Sequence, residues 1–356
     1  MTKLTRRTVV TASAALALAP SSLRAQAWPA RSIRWVVPYT AGGLTDSVTR
    51  LTLEKMNVGQ TFVVDNKPGA NSLIGAEIVA NAPPDGYTFL TVIAAHAANK
   101  TLYAGKLKFD PVTSFAPVSL VAIAPIMILV TNDLPVKSVG ELIAYAKANP
   151  GKISFGSSGV GAAAHLTSEL IMQVTGTKMV HVPYKGTAPA LADLMSGNIQ
   201  LLLDVPIGTM SQVKAGKVRA LAMMSKERVP GAEEVPTIVE SGGPLIESST
   251  WVMFMAPAGT PKAIVDRLGD EVAKAMKDEA LRKRLADQAV IPVGTTPEEA
   301  VKFLRSEVER WEKVITTAGV KIESRDRRGR VRRRDPAPGG SASRAGPGAD
   351  RSSRGG

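Results

Sequence analysis

Short apolar segments alternate with amphipathic helical segments along most of this chain, and turn sequences separate them. Ser32–Val37, Thr61–Asp65 and Tyr87–Ile93 have the length and the β-branched or aromatic content of buried strands. The turn sequences Asn66–Gly69 and Pro83–Gly86 lie between them. Such an alternation is typical of α/β proteins with largely parallel sheets. We therefore predict an α/β fold.

Two helices have local start signals. Ser138 and Glu141 form a capping-box pattern, and Thr296 and Glu299 repeat it before the last predicted helix. That last helix is expected to end at Gly319, because glycine readily adopts the left-handed conformation of a helix terminus. Its core-facing residues are expected to be Leu304, Trp311 and Ile315.

Two apolar segments without helical periodicity, Val118–Val130 and Trp251–Pro257, interrupt the alternation. We predict that they are strands passing from one lobe to another. The chain then forms a first lobe from residues 28–127 and 252–324 and a second lobe from residues 128–251. Two crossing strands make a hinge, and a hinge suits a receptor that closes on its ligand.

The N-terminus has the pattern of a cleaved export signal. A basic start with Arg6 and Arg7 precedes the apolar segment Val9–Ala19, and Ala25–Ala27 fits a signal peptidase site. This apolar segment is shorter than the roughly 20 residues that a spanning helix needs. We predict removal of residues 1–27 and a periplasmic mature chain. The paired arginines leave both the general secretory and the twin-arginine route open.

Charge and cysteine content exclude several classes of function. The chain has no cysteine, which excludes disulfides, thiolate metal ligands and cysteine nucleophiles. The net charge is +13, but residues 1–27 contribute +4 and residues 325–356 contribute +7, which leaves +2 for the span between them. A nearly neutral folded part provides no basic face, so we expect no nucleic-acid partner.

Residues 325–356 are rich in Arg, Gly, Pro and Ser and contain almost no apolar side chain. A segment of this composition has nothing to bury, so we predict a disordered tail. The sequence leaves two interpretations of the tail open. It is either an extension without function or an arm that binds RNA or DNA.

Three glycine-rich turns each precede a predicted helix: Pro38–Asp46, Gly156–Ala162 and Pro183–Thr187. Backbone N–H groups at a helix start, together with the positive end of the helix dipole, bind anions without a charged side chain. Glycine lets the backbone approach the ligand closely. Any one of these could be an ordinary strand-to-helix turn, but three in one nearly neutral chain favour an anion site. Their only cationic side chain is Lys185.

Six further segments carry, together with the first of these turns, a resemblance to one protein family. They are Asn66–Ala70, Pro83–Thr88, Asn149–Lys152, His181–Gly186, Gly216–Ala222 and Ala256–Pro261. With Pro38–Asp46 they resemble, in the same order from about Trp28 to Glu323, the Bug family of substrate-binding components of tripartite tricarboxylate transporters. The resemblance implies a type II periplasmic binding protein fold, with two α/β lobes and a ligand cleft between them. It also implies a small carboxylate ligand, held by amides and hydroxyls, and delivery to membrane permease subunits. We expect a monomer without a cofactor.

The resemblance also implies a set of ligand-binding residues. Those of the first turn are Tyr39, Gly42, Gly43, Leu44, Thr45 and Asp46, and those of the second are Ser157, Ser158, Gly161 and Ala162. Thr187 and Asp204 would complete the site from the second lobe, although Asp204 could instead cap the turn that follows it. His96, which follows a predicted strand, is a further candidate.

One departure from the family pattern bears on the ligand. Ala162, Ala163 and Ala164 stand before His165 and Leu166, where the family commonly has a polar residue. The lost donor favours a ligand with a less polar body, such as an aromatic acid, and leaves its identity open.

The three histidines are far apart in sequence and do not have the spacing of a metal site. We expect His165 and His181 to make hydrogen bonds within the fold.

Two functions are alternatives to that of a transport receptor. A carboxylate sensor for a membrane signalling protein would need the same binding site. A nicotinamide-dependent enzyme is disfavoured: Gly159–Ala164 fits a variant of the dinucleotide-binding turn, but the next strand ends in Val182–Lys185, without the acidic residue that binds the ribose. The sequence also contains no nucleophile-elbow or P-loop motif.

Overall fold

The computed structural model describes residues 28–184 and 186–321. The predictions for the export signal, the tail and Lys185 fall outside these residues. No helix in the described part is both long enough and apolar enough to cross a membrane.

The first sheet contains six strands in the order β11-β4-β10-β3-β1-β2. Strands β1, β2 and β3 are parallel, whereas β10 is antiparallel to β3 and β4. Its strands are β1 (Ile33–Val37), β2 (Phe62–Asn66), β3 (Thr88–Val92), β4 (Phe115–Pro125), β10 (Ser249–Pro257) and β11 (Ile291–Pro292). The helices that follow its strands are α1 (Leu44–Lys55), α2 (Leu73–Ala80), α3 (Ala94–Leu102), α8 (Lys262–Ala275), α9 (Glu279–Ala286) and α10 (Pro297–Ala318).

The second sheet contains five strands in the order β7-β6-β8-β5-β9. Strands β6, β7 and β8 are parallel, and β5 runs antiparallel to β8 and β9. Its strands are β5 (Met127–Val130), β6 (Ser154–Ser157), β7 (Val180–Pro183), β8 (Leu201–Asp204) and β9 (Arg219–Met223). Its helices are α4 (Val139–Ala148), α5 (Ala163–Thr175), α6 (Thr187–Met195) and α7 (Met210–Lys214).

Each sheet has its own apolar core. In the first, Trp35 stacks on Phe89 with ring centroids 5.0 Å apart and meets the edge of Phe254 at 4.5 Å. In the second, Phe155 and Leu203 are fully buried in a separate cluster. The fold is therefore the predicted α/β fold with two sheets. The exact domain boundaries given above stay a prediction.

Both sheets reverse their strand order at the strand before a glycine-rich turn. In the first sheet β1 lies between β2 and β3, and in the second sheet β6 lies between β7 and β8. The connections that follow β1 and β3 therefore run toward opposite ends of the first sheet, and those that follow β6 and β8 run toward opposite ends of the second. In open α/β sheets the crevice at the carboxyl ends of such strands is where ligands bind. By this rule a ligand-binding site is expected at the turns after β1 and β6.

The chain crosses between the sheets in two places, next to each other. The predicted single strand Val118–Val130 is in fact two strands, because the chain leaves the first sheet at Ile126 and joins the second as β5. At this point Ile126 N–H donates to the Ser248 carbonyl (3.0 Å), Ser248 N–H to the Met224 carbonyl (2.9 Å), and Met224 N–H to the Ile126 carbonyl (2.7 Å). These crossing segments are thus tied together.

The last helix, α10, has the predicted ends. Thr296 and Glu299 form a full capping box, and Gly319 ends the helix in the left-handed conformation. Leu304, Trp311 and Ile315 are buried, as expected.

A buried carboxylate fastens α10 to the start of β10. Glu307 Oε2 accepts hydrogen bonds from the indole N–H groups of Trp251 (2.8 Å) and Trp311 (3.0 Å). Its other oxygen pairs with Arg310 at 3.2 Å. Because α10 also reaches the second sheet, where Gln173 on α5 donates to the Val314 carbonyl, this helix spans the two parts of the chain.

Candidate functional site

The glycine-rich turns all lie at carboxyl ends of parallel strands. The first follows β1, the second follows β6, and the third follows β7 and ends at Thr187, which donates a hydrogen bond to Asp204, the last residue of β8. Contacts connect these turns and the strand ends beside them. Tyr184 N–H donates to the Ser157 carbonyl at 3.0 Å. Val205, directly after β8, packs against the apolar cluster of the first sheet, which also holds Tyr39 and Leu44.

The residues Ala70–Ser72, which were not predicted as site residues, lie beside the second turn. All three have positive φ angles, of 47°, 53° and 72°. The Asn71 amide nitrogen donates to Asn99 Oδ1 at 2.8 Å and lies 3.7 Å from where a Cβ on Gly161 would be. Three consecutive non-glycine residues in this conformation are strained and persist only where surrounding contacts enforce them. Local turn rules do not predict such a segment.

The first turn leaves several amides free for a ligand. Helix α1 has no side-chain cap at Gly43, and its first internal hydrogen bond runs from Ser47 N–H to the Gly43 carbonyl. The N–H groups of Leu44, Thr45 and Asp46 precede that bond and have no partner among the described residues. They point along the positive end of the α1 dipole. This turn therefore has the donors that a carboxylate needs.

Asp46 holds the first turn in shape. Its carboxylate accepts hydrogen bonds from Gly42 N–H (3.0 Å), Arg50 (3.0 Å) and the Asn66 amide (2.9 Å). Burial alone would raise the pKa of Asp46, but these hydrogen bonds outweigh it and lower the pKa, so the group is ionised. The Gly42 amide and both Asp46 oxygens are thus used within the fold. Both residues were predicted to contact the ligand; the structure uses the Gly42 N–H and the Asp46 carboxylate to set the turn geometry and leaves the Asp46 N–H among the free donors.

In the second turn, too, some N–H groups are bonded within the fold and others are free for a ligand. Ser157 is fully buried, and its hydroxyl contacts the Gly159 carbonyl at 3.0 Å. Gly161 N–H donates to His165 Nδ1 at 3.1 Å, and Ala162 N–H donates to the Gly159 carbonyl at 3.2 Å. The Ser158 and Val160 N–H groups have no described partner, and α5 also lacks a side-chain cap. The open donors are therefore Ser158, Val160 and the first turn of α5.

Thr187 and Asp204 come together, as their joint assignment to the second lobe implied. Thr187 Oγ1 donates to Asp204 Oδ2 at 2.6 Å, and Val205 N–H donates to Asp204 Oδ1 at 2.8 Å. Asp204 is 9% exposed. Burial raises the pKa of Asp204 to about 6, against the opposite effect of these two hydrogen bonds. A carboxyl group with such a pKa can accept or donate a hydrogen bond near neutral pH.

We expect Asp204→Asn to stabilise the ligand-free protein at pH 7.5. The folded-state pKa of about 6 lies above the ordinary 3.8, so folded Asp204 holds a proton that the unfolded chain releases between these pH values. Stability therefore falls as the pH rises through this window, and the full cost is present at pH 7.5. Asparagine removes that cost. We expect a gain of about 3 kcal/mol, or about 6–12 °C in melting temperature, that disappears near pH 4.

Thermal denaturation from pH 4 to 8 measures this effect. Asp270→Asn, which changes an exposed carboxylate on α8, is the matched control and should shift the melting temperature by less than about 1 °C. A lower melting temperature for Asp204→Asn at pH 7.5 would show that the ionised carboxylate stabilises the fold.

His96 is placed apart from the turns. Its ring is buried and meets the edge of Phe115, and Nε2 lies 2.7 Å from the Pro111 carbonyl. Burial lowers the pKa of His96 to about 4, so the ring is neutral. These contacts anchor α3 to the segment before β4. None of the described contacts joins His96 to the other predicted site residues.

His165 and His181 make hydrogen bonds within the fold, as predicted. Although 16 positions separate them in sequence, their rings stack with centroids 3.8 Å apart and an interplanar angle of 11°. Sequence spacing did not indicate this stack. In the described part of the chain, no cluster of His, Asp and Glu has the geometry of a metal site.

Comparisons with known proteins agree with this arrangement. The family model described as "Tripartite tricarboxylate transporter family receptor" matches residues 48–320. A Pseudomonas sp. (strain P51) protein, "UPF0065 protein in tcbD-tcbE intergenic region", is 38% identical over 312 residues, which cover 86% of this chain and 93% of the relative.

Three solved structures are similar over nearly their whole lengths. "R. palustris Rpa4515 with adipate" has a TM-score of 0.76 and 38% identity and covers 83% of this chain and 99% of its own. "Structure of periplasmic binding protein BugD" has a TM-score of 0.72 and 36% identity, with coverages of 83% and 99%. "MatC (Rpa3494) from Rhodopseudomonas palustris with bound malate" has a TM-score of 0.71 and 31% identity, with coverages of 81% and 100%.

Proposed function

The chain belongs to the tripartite tricarboxylate transporter receptor family, and from this premise we propose that it captures a small carboxylate outside the cytoplasm and delivers it to a membrane permease of the tripartite type. The resemblance to Bug proteins expected from the sequence is confirmed. Proteins of this family are periplasmic solute receptors and not enzymes.

One observation carries the proposal. Helices α1, α5 and α6 each begin after a glycine-rich turn at a strand end and have no side-chain cap. Their first-turn amides are therefore unsatisfied unless water or a ligand meets them. An anion between these helix starts accepts hydrogen bonds from several N–H groups and meets the positive ends of the dipoles. Such a site binds a carboxylate without an ion pair.

The ligands of the similar structures support a carboxylate. Adipate is bound in one of them and malate in another. Both are dicarboxylates, yet they differ in length and in polarity. In this chain Ala162, Ala163 and Ala164 border the second turn and provide no side-chain donor. We therefore propose a ligand whose first carboxylate is held by the amides and whose body next to α5 is apolar.

Closure on the ligand follows from the way the chain crosses between the sheets. The free amides of the first turn come from the first sheet, and those of the second and third turns come from the second sheet. The strand crossings at Ile126 and Ser248 are hydrogen-bonded to each other and lie beside Met224. Rotation about these crossings would bring the turns together around the ligand. Delivery to a permease, a periplasmic location and a monomeric state are part of the same proposal.

A thermal-shift screen tests the ligand class. Adipate, malate, aromatic acids and amino acids are compared with neutral sugars and nucleotides on purified protein. A carboxylate at 100 times its dissociation constant should stabilise the fold by about 2.7 kcal/mol, which raises the melting temperature by about 5–10 °C. Mass spectrometry of the small molecule released from denatured native protein identifies the physiological ligand. A shift with sugars or nucleotides and none with acids would reject the proposal.

A further inference from the structure

Two stacked imidazole rings lie directly behind the second turn. His165 comes from the first turn of α5 and His181 from β7. Phe155 on β6 lies beside both of them, with its ring centroid 4.9 Å from that of His181 and 6.3 Å from that of His165, so the three rings form one cluster. His165 is only 4% exposed. Both histidines contact the turn through hydrogen bonds, which fix the positions of their protons.

The contacts of His165 determine its tautomer. Gly161 N–H donates to Nδ1 at 3.1 Å, and a nitrogen that accepts a hydrogen bond carries no proton. The ring is then neutral and carries its proton on Nε2. Glu169 Oε1, one turn along α5, lies 3.6 Å from His165 Nε2. Besides His181, Glu169 is the titratable side chain that the described contacts place against His165.

The contacts of His181 also favour a proton on Nε2. Ser157 Oγ lies 2.7 Å from His181 Nε2, 3.0 Å from the Gly159 carbonyl and 3.3 Å from Gly159 N–H. All three contacts are hydrogen bonds only if Ser157 donates to the carbonyl and accepts from His181. Burial lowers the pKa of His181 below its ordinary value, which keeps the ring neutral. In this arrangement His181 cannot act as a base toward Ser157.

We propose that His165 and His181 are positioning residues of the second turn, acting as neutral rings that are both protonated on Nε2. They occupy Gly161 N–H and the Ser157 hydroxyl, so that the turn presents Ser158 N–H and Val160 N–H to the ligand. The role in binding rests on the proposed function. The positioning itself is a property of the ligand-free protein.

The geometry of Gly161 explains why this position needs a partner. Gly161 has a φ angle of 80°, which glycine adopts at low cost, and a Cβ there would overlap Leu102 of α3. Because glycine is also the most flexible residue, its conformation has to be fixed by contacts. The His165 ring supplies that contact from α5, which is a rigid element, and the stack with His181 fixes the orientation of the His165 ring.

NMR on ligand-free, ¹⁵N-labelled protein tests the positioning directly. The imidazole ¹⁵N shifts at pH 7.5 should show both rings neutral, with a bare Nδ1 and a protonated Nε2. The Gly161 amide should exchange with solvent slowly in the wild type and in His165→Asn, whose side-chain oxygen can replace Nδ1 as acceptor. It should exchange at least about tenfold faster in His165→Leu, because one hydrogen bond is lost. A proton on Nδ1 of His165, or equal exchange in all three proteins, would overturn the proposal.

Titration calorimetry with adipate as the probe measures the effect on binding. We expect His165→Leu and His181→Leu each to weaken binding about tenfold. His165→Asn and His181→Gln, which keep the acceptor and the donor respectively, should stay within about threefold of the wild type. Unchanged affinity in both leucine variants would refute the positioning role. If the wild type does not bind adipate, the result counts against the proposed function, while the tautomers still decide the positioning proposal.

Discussion

Gly43→Val is expected to abolish the stabilisation of the protein by a carboxylate while leaving the ligand-free fold intact. Gly43 has φ −80° and ψ 176°, which any residue adopts. A Cβ at this position would meet only the Thr40 carbonyl, at 3.9 Å. The valine methyl groups therefore have room in the ligand-free protein. Because an N-cap side chain lies over the second and third N–H groups of its helix, they would cover the free amides of Thr45 and Asp46 and keep a carboxylate from reaching them.

Thermal shift with the best acid of the screen measures this effect. The wild type should gain about 5–10 °C at 100 times the dissociation constant, and Gly43→Val should gain less than about 1 °C. Without ligand the two melting temperatures should agree within about 2 °C. A matched control is Thr40→Val, which places the same side chain in the same turn without added bulk and should keep the full shift.

A second comparison separates the amide mechanism from an ion pair. Lys185→Ala removes the only cationic side chain of the three turns. If amides and helix dipoles hold the carboxylate, this change should weaken binding by less than about fivefold, or about 1 kcal/mol. The opposite pattern, in which Lys185→Ala abolishes binding and Gly43→Val does not, would refute the amide mechanism in favour of an ion pair.

Glu307→Ala is expected to cause the largest loss of stability. Glu307 is 6% exposed and accepts hydrogen bonds from two buried indole N–H groups, those of Trp251 and Trp311. Alanine leaves both donors without a partner and Arg310 without its carboxylate. An unsatisfied buried donor costs about 1–3 kcal/mol, so we expect a loss of about 3–5 kcal/mol. The melting temperature should fall by about 6–15 °C.

Two further variants define the cause of this loss. Glu309→Ala changes an exposed glutamate on the same helix and should alter stability by less than about 0.5 kcal/mol. Glu307→Gln keeps an acceptor for both indoles but loses the pair with Arg310, so its loss should be about 1 kcal/mol. Thermal or urea denaturation of the three variants gives the comparison. Equal losses for Glu307→Ala and Glu309→Ala would mean that the indole hydrogen bonds do not contribute.

The sequence was sufficient for features that depend on neighbouring residues. The strand-and-helix alternation predicted an α/β fold, and the glycine-rich turns correctly marked the starts of α1, α5 and α6. The capping box at Thr296 and the end of α10 at Gly319 are also as expected. These signals are local because a cap or a turn satisfies backbone groups within a few residues. The prediction of one crossing strand over Val118–Val130 was only partly correct, because the segment belongs to β4 and β5. Periodicity does not show where a buried chain passes from one sheet to another.

Only the tertiary structure decided which groups of the turns remain free for a ligand. The family resemblance implied that Gly42, Asp46, Ser157 and Gly161 contact the ligand. In the structure the Asp46 carboxylate accepts hydrogen bonds from Gly42, Arg50 and Asn66. Gly161 N–H donates to the His165 ring, which stacks on His181. Gly42, Arg50 and His165 lie only four positions from their partners, but Asn66 at the end of β2 and His181 on β7 come from strands that packing brings to the turns. The sequence by itself therefore determined where the amides lie along the chain, whereas the packing of β2 against the first turn and of α5 and β7 against the second decided which groups the fold uses itself.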